Sequence, residues 1–388
     1  MKRFSLIFVP IAILATVLGL NSCSEELPFE GDSVVTPVIV GLLDKADSIH
    51  YVKVTRSFAG NNNAIEVAQI ADSSYYDDVV VKIEEYTPVN AGGTLVLRRT
   101  WILEDTILTT KEPGAFYSPN QKVYYFKTDV YNSSNPPADG DTDPTVAVKP
   151  NATYKFVAVV NGGEYTVNAE TKLVNDVIIT YPLNAGMYGF ASYTGNTFNN
   201  YTNVNCKAQI GSSDESAKVV DARMKITIRE YFSGVPTEKS FFWKLGELNG
   251  SDITDSEVSI PALGQSFYTI VKQNCTNDPT IDKRQLVSLE LIYTGGTDDL
   301  SKYILVNQPS SSLAQNKPIY TNISCSDGRQ ALGIFSSRNK SVQKKFETTG
   351  SRAISKPSMR QLCTGTITGN LLFCSENAAD IPETFYCD

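Results

Sequence analysis

The residues with the most chemistry to offer stand at Leu20-Asn21-Ser22-Cys23, where a small residue meets a cysteine at the end of an apolar run. Lys2 and Arg3 lead into that run, Phe4 to Leu20. A cationic start, a short apolar stretch and a small residue at the cut together define a processed leader. Leu20 at −3 and Ser22 at −1 suit a lipoprotein peptidase, with Asn21 at −2 a mild departure. Cleavage would make Cys23 the N-terminus and the carrier of the acyl chains, and two or more such chains anchor stably. Pro10 interrupts the run and no stop-transfer pattern follows, so a retained membrane span fits less well.

Other candidate chemistry is sparse. Gly31-Asp32-Ser33 has the start of an esterase motif, but it lies in a polar linker rather than after a strand, and His50 is the single histidine that could serve as base. No carboxylate pair stands out for glycoside hydrolysis. Asp139, Asp141 and Asp143 alternate as in the opening of a calcium loop. Such a loop needs a sharp turn at position six and a bidentate acid at position twelve, and Pro144 and Pro150 stand there instead. A polar loop is the plainer reading, and no metal or other cofactor is expected. Six cysteines follow Cys23: Cys206, Cys275, Cys325, Cys363, Cys374 and Cys387. An even number in an exported chain predicts three disulfides, with fifteen pairings open; the spacing suggests that the last three hold a C-terminal tail onto the body. No C-x-x-C pair supports zinc.

The elements that must position these residues are strands. Tyr (20) and Phe (17) are plentiful and Met (4) scarce, and with many Val, Ile and Thr this is a strand-forming composition. Loss of the leader removes Lys2 and Arg3, taking the formal charge from −8 to −10, which leaves no basic face for nucleic acid. Residues 23–36, the lipidated cysteine and an acidic stretch, read as a tether of at most about 45 Å. Strands are expected at Val38–Leu43, His50–Thr55, Val79–Glu84, Thr94–Leu103 and Val123–Val130, with alternating residues on one buried face. Val148 to Lys172 reads as a hairpin around Asn161-Gly162-Gly163. Further strands are expected at Arg223–Arg229, with Met224, Ile226 and Ile228 inward, at Ser240–Leu245, and at Leu286–Tyr293, with Val287, Leu289, Leu291 and Tyr293 on one side. A helix is expected at Gln265–Lys272 or Asp299–Leu305. From Arg338 to Arg360 seven basic residues face only Glu347, which reads as a mobile basic loop, with contact to lipid phosphates the alternative.

Several phrases carry resemblances. Pro150 and Tyr154 at the start of the 148–172 hairpin resemble the closing hairpin of fibronectin type III and immunoglobulin-like sandwiches, in which such a tyrosine bonds back to upstream backbone. Ser24-Glu25-Glu26 resembles the export signal that sends lipoproteins of Bacteroidota to the outer face of the outer membrane. Asp47-Ser48-Ile49 and Asp105-Thr106-Ile107 resemble the O-glycosylation motif of proteins from that phylum. Pro37 to Asp44 with Ser48 to Val54, then Ala115 to Tyr124, then Lys317 to Ile323 with Gly333 to Arg338, resemble in order a family of Bacteroidota lipoproteins known only as a domain of unknown function. That likeness runs from about Pro37 to Arg338; the insertion Ser324 to Ala331 and the cysteine-bearing tail depart from it, and a bridge from Cys325 to the tail would make them one elaboration.

The expectation is therefore a mainly β protein. A leader (1–22) and tether (23–36) precede an immunoglobulin/fibronectin III-like β-sandwich over 37–174 and a second β-rich domain over 175–337. Residues 338–388 follow as a basic loop and disulfide-bonded tail. Variable loops on a rigid scaffold suit binding. The leading functional expectation is a non-enzymatic outer-membrane surface lipoprotein whose target is an outer-membrane β-barrel protein, a glycan or a host protein. An accessory subunit of an outer-membrane β-barrel transport or assembly complex is the alternative, and a glycan-acting hydrolase stands third.

Overall fold

Period-two apolar patterns become strands wherever one face can be buried, and this chain folds accordingly. The computed structural model describes residues 35–57, 64–89, 93–138, 140–307 and 319–387. The leader, Cys23, Ser24, Glu25, Glu26, the tether before residue 35, and Asp139 lie outside the described residues. Among the described residues, no helix is long and apolar enough to cross a membrane.

The first half supplies β1 (Pro37–Leu43), β2 (Ile49–Arg56), the short helix α1 (Ala64–Ala68), β3 (Val79–Pro88), β4 (Leu95–Ile102), β5 (Glu104–Leu108), β6 (Gln121–Lys127), β7 (Thr153–Val160) and β8 (Tyr165–Lys172). One layer runs β1-β2-β6-β5 and the facing layer β8-β7-β3-β4. This is the strand order of an immunoglobulin-type sandwich. Ile39, Val52, Val54, Val81, Ile83, Phe126 and Phe156 fill the space between the layers. The hairpin turn places Asn161 at φ 50°, Gly162 at 64° and Gly163 at 107°, so Val160 pairs with Tyr165.

Tyr154, at the start of β7, is wholly buried, and its hydroxyl accepts the Lys149 N–H at 2.7 Å. This is the corner bond expected from the hairpin. The same hydroxyl donates to Glu85 Oε2 at 2.7 Å, and Glu85 is bound in turn by Arg99. Arg99 also reaches the carbonyls of Val146 (2.6 Å) and Ala147 (3.0 Å), so one buried ion pair ties the loop before β7 to the sheet. The alternation in β3 thus continues inward to a carboxylate, tolerable because it is fully partnered.

The second half contains β9 (Ile178–Tyr181), β10 (Ala191–Thr194), β11 (Thr197–Tyr201), β12 (Val204–Gln209), β13 (Val219–Phe232), β14 (Val235–Asn249), β15 (Glu257–Ala262), the helix α2 (Gly264–Asn274), β16 (Ile281–Gly296), the helix α3 (Asp298–Asn307), β17 (Ser324–Cys325), β18 (Leu332–Phe346) and the helix α4 (Lys356–Thr364). Both segments weighed for a helix are helical. β14, β13, β16 and β18 are neighbours in one sheet and β15, β12 and β9 form another. Met224, Ile226, Ile228, Leu289, Leu291, Tyr293, Phe190 and Phe267 share their core. The expected face of β16 holds except at one end. A bulge between the pairs Thr227–Ser288 and Ile228–Leu286 turns Leu286 inward, in place of Val287.

The expected boundary at residue 174 is incomplete. β17 pairs with β8, and the first part of β18 runs parallel to β1, Val38 opposite Leu332 through Leu43 opposite Ser337. Ile323, Ala331 and Phe335 bury themselves in the first core. From Arg338 the same strand continues antiparallel to β16, so one eight-stranded sheet runs through both halves. Gly333 permits this crossing: its φ is +99°, and a Cβ there would lie 1.9 Å from the Ile39 carbonyl oxygen.

The expected basic loop is instead the second part of β18 followed by α4, and six of its seven cations have partners. Arg338 meets Asp44 and Asp47, Lys344 meets Glu290, Arg352 and Lys356 meet Asp380, and Arg360 meets Glu383. The Lys345 ammonium donates to the Leu183 carbonyl at 2.6 Å. Ser355 caps α4 by accepting the Ser358 N–H, with Pro357 in its first turn.

The framework of three disulfides is also corrected. Among the described residues there is one bridge, Cys374–Cys387, within the tail itself. Cys206, Cys275, Cys325 and Cys363 remain thiols. The first sits on β12 in the second core, the next caps α2, and Cys363 lies on α4. Cys325 packs on the first core beside β8, which separates it from the tail cysteines. Arg284 fastens the tail instead: its guanidinium pairs with Glu230 and donates to the Leu371 carbonyl at 2.8 Å.

Candidate functional site

Most groups able to do acid–base or nucleophilic chemistry are held inside the fold. His50 points inward from β2, stacked on Phe126 with ring centroids 4.6 Å apart. The Thr128 hydroxyl donates to the Asp129 carbonyl, so Thr128 Oγ1 accepts from His50 Nε2 at 3.0 Å. His50 Nδ1 is buried without a hydrogen-bond partner among the described residues, and burial pushes the imidazole pKa down to about 4. Burial raises the thiols of Cys206 to about 12 and Cys275 to about 11, and Cys363 higher still.

The expected polar loop makes its own turns. Asp141 Oδ1 accepts the Asp143 N–H at 2.9 Å, and Asp143 Oδ1 accepts both the N–H and the hydroxyl of Thr145 at 2.8 Å, holding the Asp143 carboxyl below its usual range. Among the described residues, no set of three His, Cys, Asp or Glu side chains is placed to hold a metal ion. Ser48 of the first glycosylation motif is exposed in the turn before β2; Thr106 of the second is half-buried on β5.

Open grooves large enough for a ligand include two with contrasting linings. The first, about 570 Å³, lies on the outer face of β13 and β16 beneath the tail. Its lining is polar, including Lys225, Arg229, Glu238, Lys344, Glu347 and Asn377. Most of the charges there are already paired: Arg229 with Glu238 at 2.8 Å, Lys344 with Glu290 at 3.0 Å and Lys225 with Glu290 at 3.7 Å. Glu347 accepts from the Ala353 N–H at 2.8 Å and the Ile354 N–H at 3.3 Å, yet burial still raises its carboxyl to about 7. It acts as a brace between β18 and α4.

The second groove, about 410 Å³, lies on the outer face of β1 and β2. Val38 and Val40 alternate onto this face, with Val40 41% exposed, and Ala68, Ala71, Tyr75 and Tyr117 complete much of the apolar wall. Residues 111–117 form a strap over it, bound to α1 and the turn after it. Tyr117 N–H donates to the Ala68 carbonyl at 2.9 Å, and Gln69 Nε2 donates to the carbonyls of Gly114 (3.1 Å) and Ala115 (2.6 Å). Three cations line the groove: Lys53, Arg56 and Lys111.

Among the described residues, none of these cations makes an ion pair and no acid lines the groove. Lys53 has a long bond of 3.4 Å to Gln121 Oε1, and burial, with the Lys111 charge nearby, pushes its pKa down. Lys111 donates to the Tyr117 carbonyl at 2.6 Å, and Arg56 donates to the Ser73 carbonyl at 3.4 Å. The contrast in charge singles this groove out. The polar groove is neutralised from within, whereas this one concentrates positive charge at an apolar surface.

None of the residues weighed for chemistry from the sequence lines this groove. Alternation along β2 did place Lys53 outward, but the strap that sets Lys111 near it has no period to read. Val38, Val40 and Lys53 of β1 and β2 meet Phe116 and Tyr117 of the strap here. No protein-family model and no curated protein matches this chain.

Proposed function

We propose that this protein is a non-enzymatic, lipid-anchored surface protein of the outer membrane that binds its target through the groove on the first sandwich. The observation that carries this reading is the set of three cations, Lys53, Arg56 and Lys111, held over an apolar wall with no countering acid among the described lining residues. The strap is hydrogen-bonded in place, so the groove is preformed and little ordering cost falls on binding. Cys23 supplies the anchor, and Ser24-Glu25-Glu26 directs the chain outward. The accessory-subunit alternative drew on a mobile basic loop. With six of its seven cations partnered within the fold, the groove is the better-supported contact.

The test is made on intact cells. A photo-crosslinking residue is placed at Val40 in the groove, with one at Ser212, on an exposed turn of the second half, as control. The reading expects labelled palmitate on the wild-type chain but not on Cys23→Ser, digestion of the chain by external protease, and a crosslinked species specific to the groove position. Protection from protease until lysis, or identical crosslinking at both positions, would reject it.

A further inference from the structure

We propose that the groove between β1, β2 and the 111–117 strap binds a single-chain amphipathic anion, an aliphatic tail ending in a carboxylate or similar acid. This rests on the binding role proposed above and assigns the chemistry of its ligand. Val38 and Val40 present adjacent apolar side chains on the outer face of β1, where an alkyl tail would displace water. Lys53, Arg56 and Lys111 line the same space, and none is satisfied by a carboxylate among the described residues. An acidic head group would relieve the repulsion between Lys53 and Lys111 and complete hydrogen bonds that neither ammonium now makes in full.

Other ligand chemistries fit less well. A neutral sugar would leave the cations uncompensated and cover the valines with hydroxyls. A small inorganic anion would make no use of the apolar wall. A volume of about 410 Å³ suits one chain of moderate length.

Calorimetry on the mature chain from residue 23, carrying Cys23→Ser so that no detergent is required, tests this directly. Dodecanoate below its micellar concentration is expected to bind with one-to-one stoichiometry, and acetate not to bind. Octanoate, four methylenes shorter, should bind about 200-fold more weakly if all four methylenes are buried. Dodecyl maltoside and dodecyltrimethylammonium should bind at least about 10-fold more weakly, for want of an anion. Lys53→Met with Lys111→Met should weaken dodecanoate about 10-fold or more and leave dodecyl maltoside unchanged. Val40→Asp, at an exposed position, should abolish dodecanoate binding without altering the melting temperature.

Equal affinity for dodecanoate and dodecyl maltoside, no response to the double lysine variant, or absence of binding would overturn the proposal. So would sedimentation with phosphatidylglycerol vesicles in the absence of dodecanoate binding, which would mark a bilayer contact. A groove-specific crosslink on cells together with no dodecanoate binding rejects the ligand and keeps the binding role. Loss of both rejects the role itself.

Discussion

The hydroxyl of Tyr154 accepts the N–H of Lys149, five residues upstream, at 2.7 Å and turns its own proton toward Glu85. That single contact fixes the loop entering β7 and seats the buried Glu85–Arg99 pair. Tyr154→Phe removes an acceptor and a donor from a site sealed from water. It is expected to cost about 1–3 kcal/mol, read as a lower urea midpoint at unchanged slope.

Arg99→Met should be more damaging, at about 3–5 kcal/mol, because it strands the Glu85 carboxylate in the core. Changing both together, Glu85→Leu with Arg99→Met, should recover much of the loss, since no buried charge then remains. A double variant as unstable as Arg99→Met alone would show that the carbonyl contacts of Arg99, rather than the charge pair, dominate.

Gly333→Ala probes the strand shared between the two halves. The left-handed φ and the approach of the Ile39 carbonyl leave no room for a Cβ, so a loss above about 3 kcal/mol is expected. Hydrogen exchange should show the new weakness at β1 and the first part of β18, with β13 and β16 less affected.

Thiol titration distinguishes one disulfide from three. A chain from residue 23 carrying Cys23→Ser, denatured without reductant, should release four thiols, from Cys206, Cys275, Cys325 and Cys363. Three bridges would release none. Cys374→Ser with Cys387→Ser opens a loop of 13-residue separation and should cost about 3 kcal/mol, loosening the tail first.

Two groups give opposite pH dependences. His50 is lowered from 6.5 to about 4, so the unfolded chain binds more protons and stability is lost as pH falls from 6.5 toward 4. Glu347 is raised from 4.5 to about 7, so the folded chain binds more protons and stability is lost as pH rises from 4.5 toward 7. His50→Gln should therefore gain on wild type at pH 4.5 relative to pH 7.5, and Glu347→Gln at pH 7.5 relative to pH 4.5. Each effect is limited to about 3 kcal/mol. Parallel stability curves for wild type and either variant would refute that residue's contribution.

Local alternation was enough to place most strands of the first sandwich and the central strands of the second, because a side-chain period of two is written directly in residues such as Val52, Val54, Met224, Ile226 and Ile228. The Tyr154 corner was legible through the hairpin's resemblance to immunoglobulin-like sandwiches, and it is a contact across only five residues. What the sequence could not decide was every relationship that spans the chain. Residues 319–337 close a sandwich begun near residue 37, and Phe335 gives no local sign of which core it enters. The basic residues of 338–360 look unopposed in sequence because Asp44, Glu290, Asp380 and Glu383 meet five of them only after folding. The cysteines follow the same rule, since a bridge depends on spatial approach and not on count. The groove is the clearest case. The expectation of a lipidated Cys23 rests on adjacent residues alone, while Lys53 and Lys111 come to line one groove only when tertiary hydrogen bonds draw a strap across β1 and β2.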